Sequence, residues 1–116
     1  MSAITTHVLD IAHGRPAAGV AVTLERAAAN APSGWILEGK GATDADGRLR
    51  TLLPEGAPAH PGTWRLTFAT GAYFHALGAP AFHPSAAVTF TVDDAAEHYH
   101  VPLLVSPFGF TTYRGS

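Results

Sequence analysis

The chain has no cysteine among its 116 residues. That absence excludes a disulfide framework, a thiolate nucleophile and any cysteine-ligated metal, and it is compatible with a reducing cytoplasm, the expected location. Charge is also scarce. Asp, Glu, Lys and Arg make up 14 % of the residues, and nine acidic against seven basic side chains leave a formal charge of −2. The basic residues are scattered from Arg15 to Arg114, so a nucleic-acid partner has no electrostatic footprint. No apolar run approaches the roughly 20 residues of a membrane helix. Residues 1–10 lack a basic start with a hydrophobic stretch behind it. A soluble, unprocessed chain with no membrane partner is expected. There is neither an internal repeat nor a low-complexity segment.

What is present is a sequence built to be buried. Hydrophobic residues account for 47 % of the chain, which excludes disorder, and a chain of this length fits one domain, taken as 1–116. So small a charged complement also implies that partner subunits cover some of the surface.

Strand signals dominate, because β-branched and aromatic residues recur in short runs separated by Gly, Pro, Asp and Asn. Strands are expected over residues 3–10, 20–25, 35–43, 48–53, 64–69 and 88–93, with two more in 98–113 broken near Pro107-Phe108-Gly109. Val20, Val22 and Leu24 alternate with Ala21, Thr23 and Glu25, the period of a half-buried strand. Residues 12–16 read as a turn. Asp44-Ala45-Asp46-Gly47 reads as a tight turn closing a hairpin between the third and fourth strands. Residues 71–77 are the one short helix, bounded by Gly71, Gly78 and Pro80, and the Ala-rich run 27–32 is a loop because of Asn30 and Pro32. About eight short strands at this spacing predict an antiparallel β-sandwich.

Three separated segments carry a resemblance. They are Thr6-His7-Val8-Leu9-Asp10 with Gly14-Arg15-Pro16-Ala17; Thr43-Asp44-Ala45-Asp46-Gly47-Arg48; and Glu97-His98-Tyr99-His100-Val101-Pro102-Leu103-Leu104 running on to Thr112-Tyr113-Arg114-Gly115-Ser116. Together they make the chain similar, over nearly all its length, to the transthyretin-related 5-hydroxyisourate hydrolases. The terminal Tyr113-Arg114-Gly115-Ser116 is the most specific element, because it separates the hydrolases from transthyretin, the hormone carrier of the same fold. The resemblance implies a transthyretin-like sandwich and the hydrolytic opening of 5-hydroxyisourate to 2-oxo-4-hydroxy-4-carboxy-5-ureidoimidazoline. It further implies a homotetramer, a dimer of dimers with active sites at the dimer–dimer interface, and no metal or other cofactor. The positions matching the family's catalytic motif are His7, Arg48, His100 and Ser116; His7, Arg48 and Tyr113 match its substrate-binding positions.

Those residue types suit the reaction. Opening a cyclic amide with water needs a base, a donor for the developing oxyanion and contacts that orient the ring. A neutral imidazole accepts a proton near neutral pH, so His7 and His100 form the acid–base pair, in either assignment of roles. Arg48 presents a planar, always-charged fork to an anionic ring and to oxyanion charge. Tyr113 offers an aromatic face and a hydroxyl, and Ser116 a hydroxyl together with the expected terminal carboxylate. Plainer readings stand beside these. A strand histidine is more often structural, and Arg48 alone would be a solvated turn residue. Asp44-Ala45-Asp46-Gly47 lacks the remaining ligands of a calcium loop. His98 and His100 share a strand face, as a His-x-His metal pair would, so a zinc-dependent hydrolase is one alternative; a non-catalytic carrier of an aromatic ligand is another. Tyr99, Trp35, Trp64 and the Phe residues are expected in core or interface packing, and His13, His60, His75 and His83 carry no assigned function.

Overall fold

The computed structural model describes residues 2–116 and arranges them as two β-sheets enclosing one core. In order, the elements are β1 (Ile4–Asp10), β2 (Arg15–Pro16), β3 (Ala21–Ala27), β4 (Trp35–Ala42), β5 (Arg48–Leu49), β6 (Gly62–Phe68), α1 (Thr70–Ala76), β7 (Ala86–Val92), β8 (Tyr99–Ser106) and β9 (Gly109–Thr112). One sheet runs β2-β1-β8-β9 with β5 also on β1; the other runs β4-β3-β6-β7. The sandwich expected from the strand periodicity is present.

The core follows from that periodicity. Val22 and Leu24 on β3, Trp64, Leu66 and Phe68 on β6, and Ile4, Val8, Leu103 and Val105 on the other sheet are all at most 2 % exposed, and alternation sends their neighbours outward. Trp64 brings a polar atom inside and satisfies it by donating Nε1–H to the His60 carbonyl (2.9 Å). Phe74 anchors α1 over the core at 1 % exposure. Trp35 is only half buried, lying under the Arg65 guanidinium at 4.0 Å.

Three expectations need correction. First, the sandwich is not wholly antiparallel, because β1 and β8 pair in parallel from Ile4↔Tyr99 to Asp10↔Val105. Parallel neighbours need a long crossover, and almost the whole chain lies between these two. Second, the turn at residues 44–47 joins no hairpin: β5 leaves β4 and pairs with β1 in the opposite sheet. It also ends at Leu49, since Leu52 and Leu53 turn inward to fill the core and the Leu53 N–H donates to Ser2 Oγ (3.0 Å). Third, the 12–16 turn contributes a short strand, β2, which pairs Pro16 with Leu9 and Arg15 with Asp10. One edge of β1 is thus shared end to end by β2 and β5.

Candidate active site

The outer face of the β1–β8 pair carries the side chains that the core rejects. Thr5 and His7 alternate with Ile4, Thr6 and Val8, and His100 with Tyr99 and Val101. Pairing then sets their neighbours, placing Thr5 opposite His100 and His7 opposite Arg48. Thr5, Arg48, Arg50, His98, His100 and Ser116 line a recess of about 230 Å³ on this face. Three of the four expected catalytic residues therefore meet there. His7 lies beside the recess, across the β1–β5 pair, rather than in its wall.

Arg48 is delivered by a stiff loop. The Asp44 carboxylate accepts from the backbone N–H of Asp46 and of Arg48, both at 2.9 Å, while the Gly47 N–H donates to the Asp44 carbonyl at 2.9 Å. The Arg48 N–H bond contributes most to holding the Asp44 carboxyl below its ordinary range; slight burial opposes it, and the Asp46 N–H and the Arg50 and Arg48 charges assist. Gly47 sits at φ +77°, where a side chain would be strained, and a Cβ there would lie 2.4 Å from the Val8 carbonyl oxygen.

The two histidines are held differently. His7 donates its Nε2–H to the Asp46 carbonyl (2.9 Å), which leaves Nδ1 as the free nitrogen of the neutral ring. His100 places Nδ1 2.8 Å from Thr5 Oγ1, and the same oxygen stands 3.0 Å from His98 Nε2. Burial pushes the His100 pKa below its ordinary value of 6.5, reinforced in decreasing order by His98, Arg48, His7 and Arg50. A neutral His100 at neutral pH is the consequence.

The C-terminal tail is tied to β8 rather than left free. The Gly115 N–H donates to the His100 carbonyl at 2.8 Å, and a Cβ on Gly115 would come within 2.7 Å of His100 Cδ2. That contact brings Ser116 into the recess. Tyr113, by contrast, is 55 % exposed and lines a separate groove of about 240 Å³ with Phe90, Tyr99, Thr112 and Arg114. Within one chain, Tyr113 and the recess are apart. Among the described residues, no group of three or more His, Asp or Glu side chains is disposed to hold a metal. His13 pairs with the buried Asp10 (2.7 Å), whose carboxylate also accepts from the Tyr73 hydroxyl (2.8 Å) and ties α1 to β1.

Sequence reasoning passed over Thr5 and Arg50. Each left a faint signal: Thr5 is two residues from His7, and Arg50 two from Arg48, the spacing of one strand face.

Two sheets in this order with one helix after β6 define a transthyretin-like sandwich, and the imidazole- and guanidinium-lined recess on its outer face is a candidate small-molecule site. The HIUase/Transthyretin family profile matches residues 4–115, and the chain belongs to that family. It is 46 % identical over 120 residues to the 5-hydroxyisourate hydrolase of Caulobacter vibrioides, the match covering 100 % of both chains. Among solved structures, the 5-hydroxyisourate hydrolase of Klebsiella pneumoniae superposes with a TM-score of 0.82 at 36 % identity, covering 97 % of this chain and 98 % of that one. Transthyretin from Sparus aurata superposes at 0.88 with 33 % identity, covering 99 % and 97 %. The expected family and fold are therefore borne out. No helix among the described residues is long and apolar enough to cross a membrane.

Proposed function

We propose that residues 1–116 act as one 5-hydroxyisourate hydrolase domain in urate degradation, opening the cyclic amide to 2-oxo-4-hydroxy-4-carboxy-5-ureidoimidazoline. The carrying observation is the recess itself, where Arg48, His100 and Ser116 arrive from distant segments onto one sheet face. In the reaction, water oxygen adds to the ring carbonyl, the C–N bond breaks, the ring nitrogen takes a proton and the new carboxylic acid ionises. His100, kept neutral, accepts the water proton. Arg48 grips the anionic ring and stabilises charge on the carbonyl oxygen. His7, its Nε2 committed to Asp46, orients the substrate and serves as proton donor when charged. Ser116 orients the water.

The same reading includes a cytoplasmic homotetramer, a dimer of dimers with sites where dimers meet. Support comes from the outward opening of the recess and from apolar side chains left on the surface: Phe82 and Phe108 are each 69 % exposed and Phe110 38 %. Tyr113, outside the recess of its own chain, would then bind substrate in a neighbouring copy. The fold is shared with transthyretin from Sparus aurata as well, so a non-catalytic carrier of an aromatic ligand is the second reading, ranked below the hydrolase by the 46 % identity to a 5-hydroxyisourate hydrolase.

Decay of freshly generated 5-hydroxyisourate, followed by ultraviolet absorbance, separates the two. Purified protein should accelerate it, also after exhaustive chelation, and His7→Ala, Arg48→Ala and His100→Ala should each slow it by roughly 10²-fold or more. A rate equal to buffer rejects the hydrolase reading, and saturable ligand binding without turnover would point to the carrier.

A further inference from the structure

Thr5 is buried at 3 % exposure on the floor of the recess, with its hydroxyl between two imidazoles. The His98 and His100 rings lie nearly parallel, 18° apart in plane and 6.4 Å between centroids. At that separation they exchange no direct hydrogen bond. Thr5 Oγ1 is within hydrogen-bond reach of both, 3.0 Å from His98 Nε2 and 2.8 Å from His100 Nδ1.

A hydroxyl has one proton. Among the described residues Thr5 Oγ1 has no partner besides the two imidazoles, so its proton goes to one of them and it accepts from the other, which gives the neutral trio two complementary arrangements. In the first, His100 Nδ1–H donates to Thr5, Thr5 donates to His98 Nε2, and His100 Nε2 is left with a bare lone pair. In the second, the direction is reversed and His100 Nε2 carries the proton. Among the described residues no protein group hydrogen-bonds His100 Nε2. The first arrangement is the one in which His100 is a base.

Resting on the hydrolase reading, we infer that Thr5 is a positioning residue that holds His100 with Nε2 free and relays the proton it accepts to His98 at the solvent edge. The transfer balances. As water's proton joins His100 Nε2, the Nδ1 proton moves to Thr5 Oγ1, the Thr5 proton moves to His98 Nε2, and the His98 Nδ1 proton leaves to solvent. No net charge stays on the trio. The surroundings favour this course, because burial and the flanking His98, Arg48, His7 and Arg50 all disfavour a lasting charge on His100. The exit is open, since His98 is exposed while His100 is half buried.

Thr5→Val keeps the β-branched shape and removes the hydroxyl; Thr5→Ser keeps the hydroxyl. On the full chain, T5V should lower kcat for 5-hydroxyisourate by roughly 10-fold or more with KM changed less than about twofold, while T5S stays within about threefold of the parent. His98→Gln, which accepts from Thr5 but cannot pass a proton on, should fall with T5V. Long-range nitrogen–proton NMR should find His100 of the parent protein protonated on Nδ1 and a mixture of tautomers in T5V. A full-rate T5V, a T5S as slow as T5V, or a full-rate H98Q overturns the relay. An inactive parent protein would count against the hydrolase reading alone; the NMR still decides on Thr5, because a parent His100 protonated on Nε2 overturns the lock.

Discussion

Arg50 acts on His100 through its charge, without a hydrogen bond to it. Together with burial and with His98, Arg48 and His7, it helps hold the His100 pKa below 6.5, and a histidine so shifted stays a competent base to lower pH than a free one. The acid limb of kcat/KM should therefore have its midpoint below 6.5, and Arg50→Ala should move that midpoint upward. An unmoved midpoint in the variant would remove Arg50 from the electrostatics of the site. The sign for stability is the same: as pH falls below 6.5 the unfolded chain takes the proton first, so folding weakens through that window. Glycine matters here as much as charge, since any side chain at position 115 would press on the His100 ring.

At the level of elements, β5 is the decisive one despite its two residues. Its register on β1 sets Arg48 beside His7, and that register depends on the Asp44–Gly47 loop crossing between sheets. Gly47→Ala combines an unfavourable φ with a Cβ 2.4 Å from the Val8 carbonyl oxygen. It should cost about 1–3 kcal/mol in urea unfolding and lower kcat/KM by displacing Arg48. Unchanged stability would mean that the loop relaxes freely. Strand alternation had made β3, β6 and β7 readable in the sequence, because a period of two is written locally in side chains such as Val22, Leu24, Trp64 and Leu66. The loop was readable as a turn for a similar local reason, but its destination was not. Nothing in Asp44-Ala45-Asp46-Gly47 says which sheet receives Arg48.

Across the whole molecule, the exposed aromatic side chains cluster. Phe82 and Phe110 flank His83, with ring centroids 4.9 and 5.4 Å away, and the Phe82 N–H donates to the Pro107 carbonyl (2.7 Å) in the turn that carries Phe108. A patch of this kind suits a surface for another protein molecule, and on the proposed tetramer that molecule would be a second copy. Light scattering on eluting protein should give four times 12.1 kDa, and Phe82→Glu with Phe110→Lys should shift the mass to smaller species. A monomer of full activity would remove the tetramer from the mechanism. If Tyr113 serves a neighbouring recess, the dissociated variants should also lose affinity for substrate.

The sequence was sufficient for the two-sheet sandwich and for the family, and it named His7, Arg48, His100 and Ser116 as candidates, of which Arg48, His100 and Ser116 line one recess. These rest on local periodicity and on short motifs, which survive in a linear string. The parallel pairing of β1 with β8, the passage of β5 to the opposite sheet, the separation of Tyr113 from its own recess and the Thr5 hydroxyl between two imidazoles were not there to be read. Thr5 and His100 are 95 residues apart in the chain. Their meeting is fixed by strand register and core packing summed over the whole fold, and no residue's neighbours along the chain encode it.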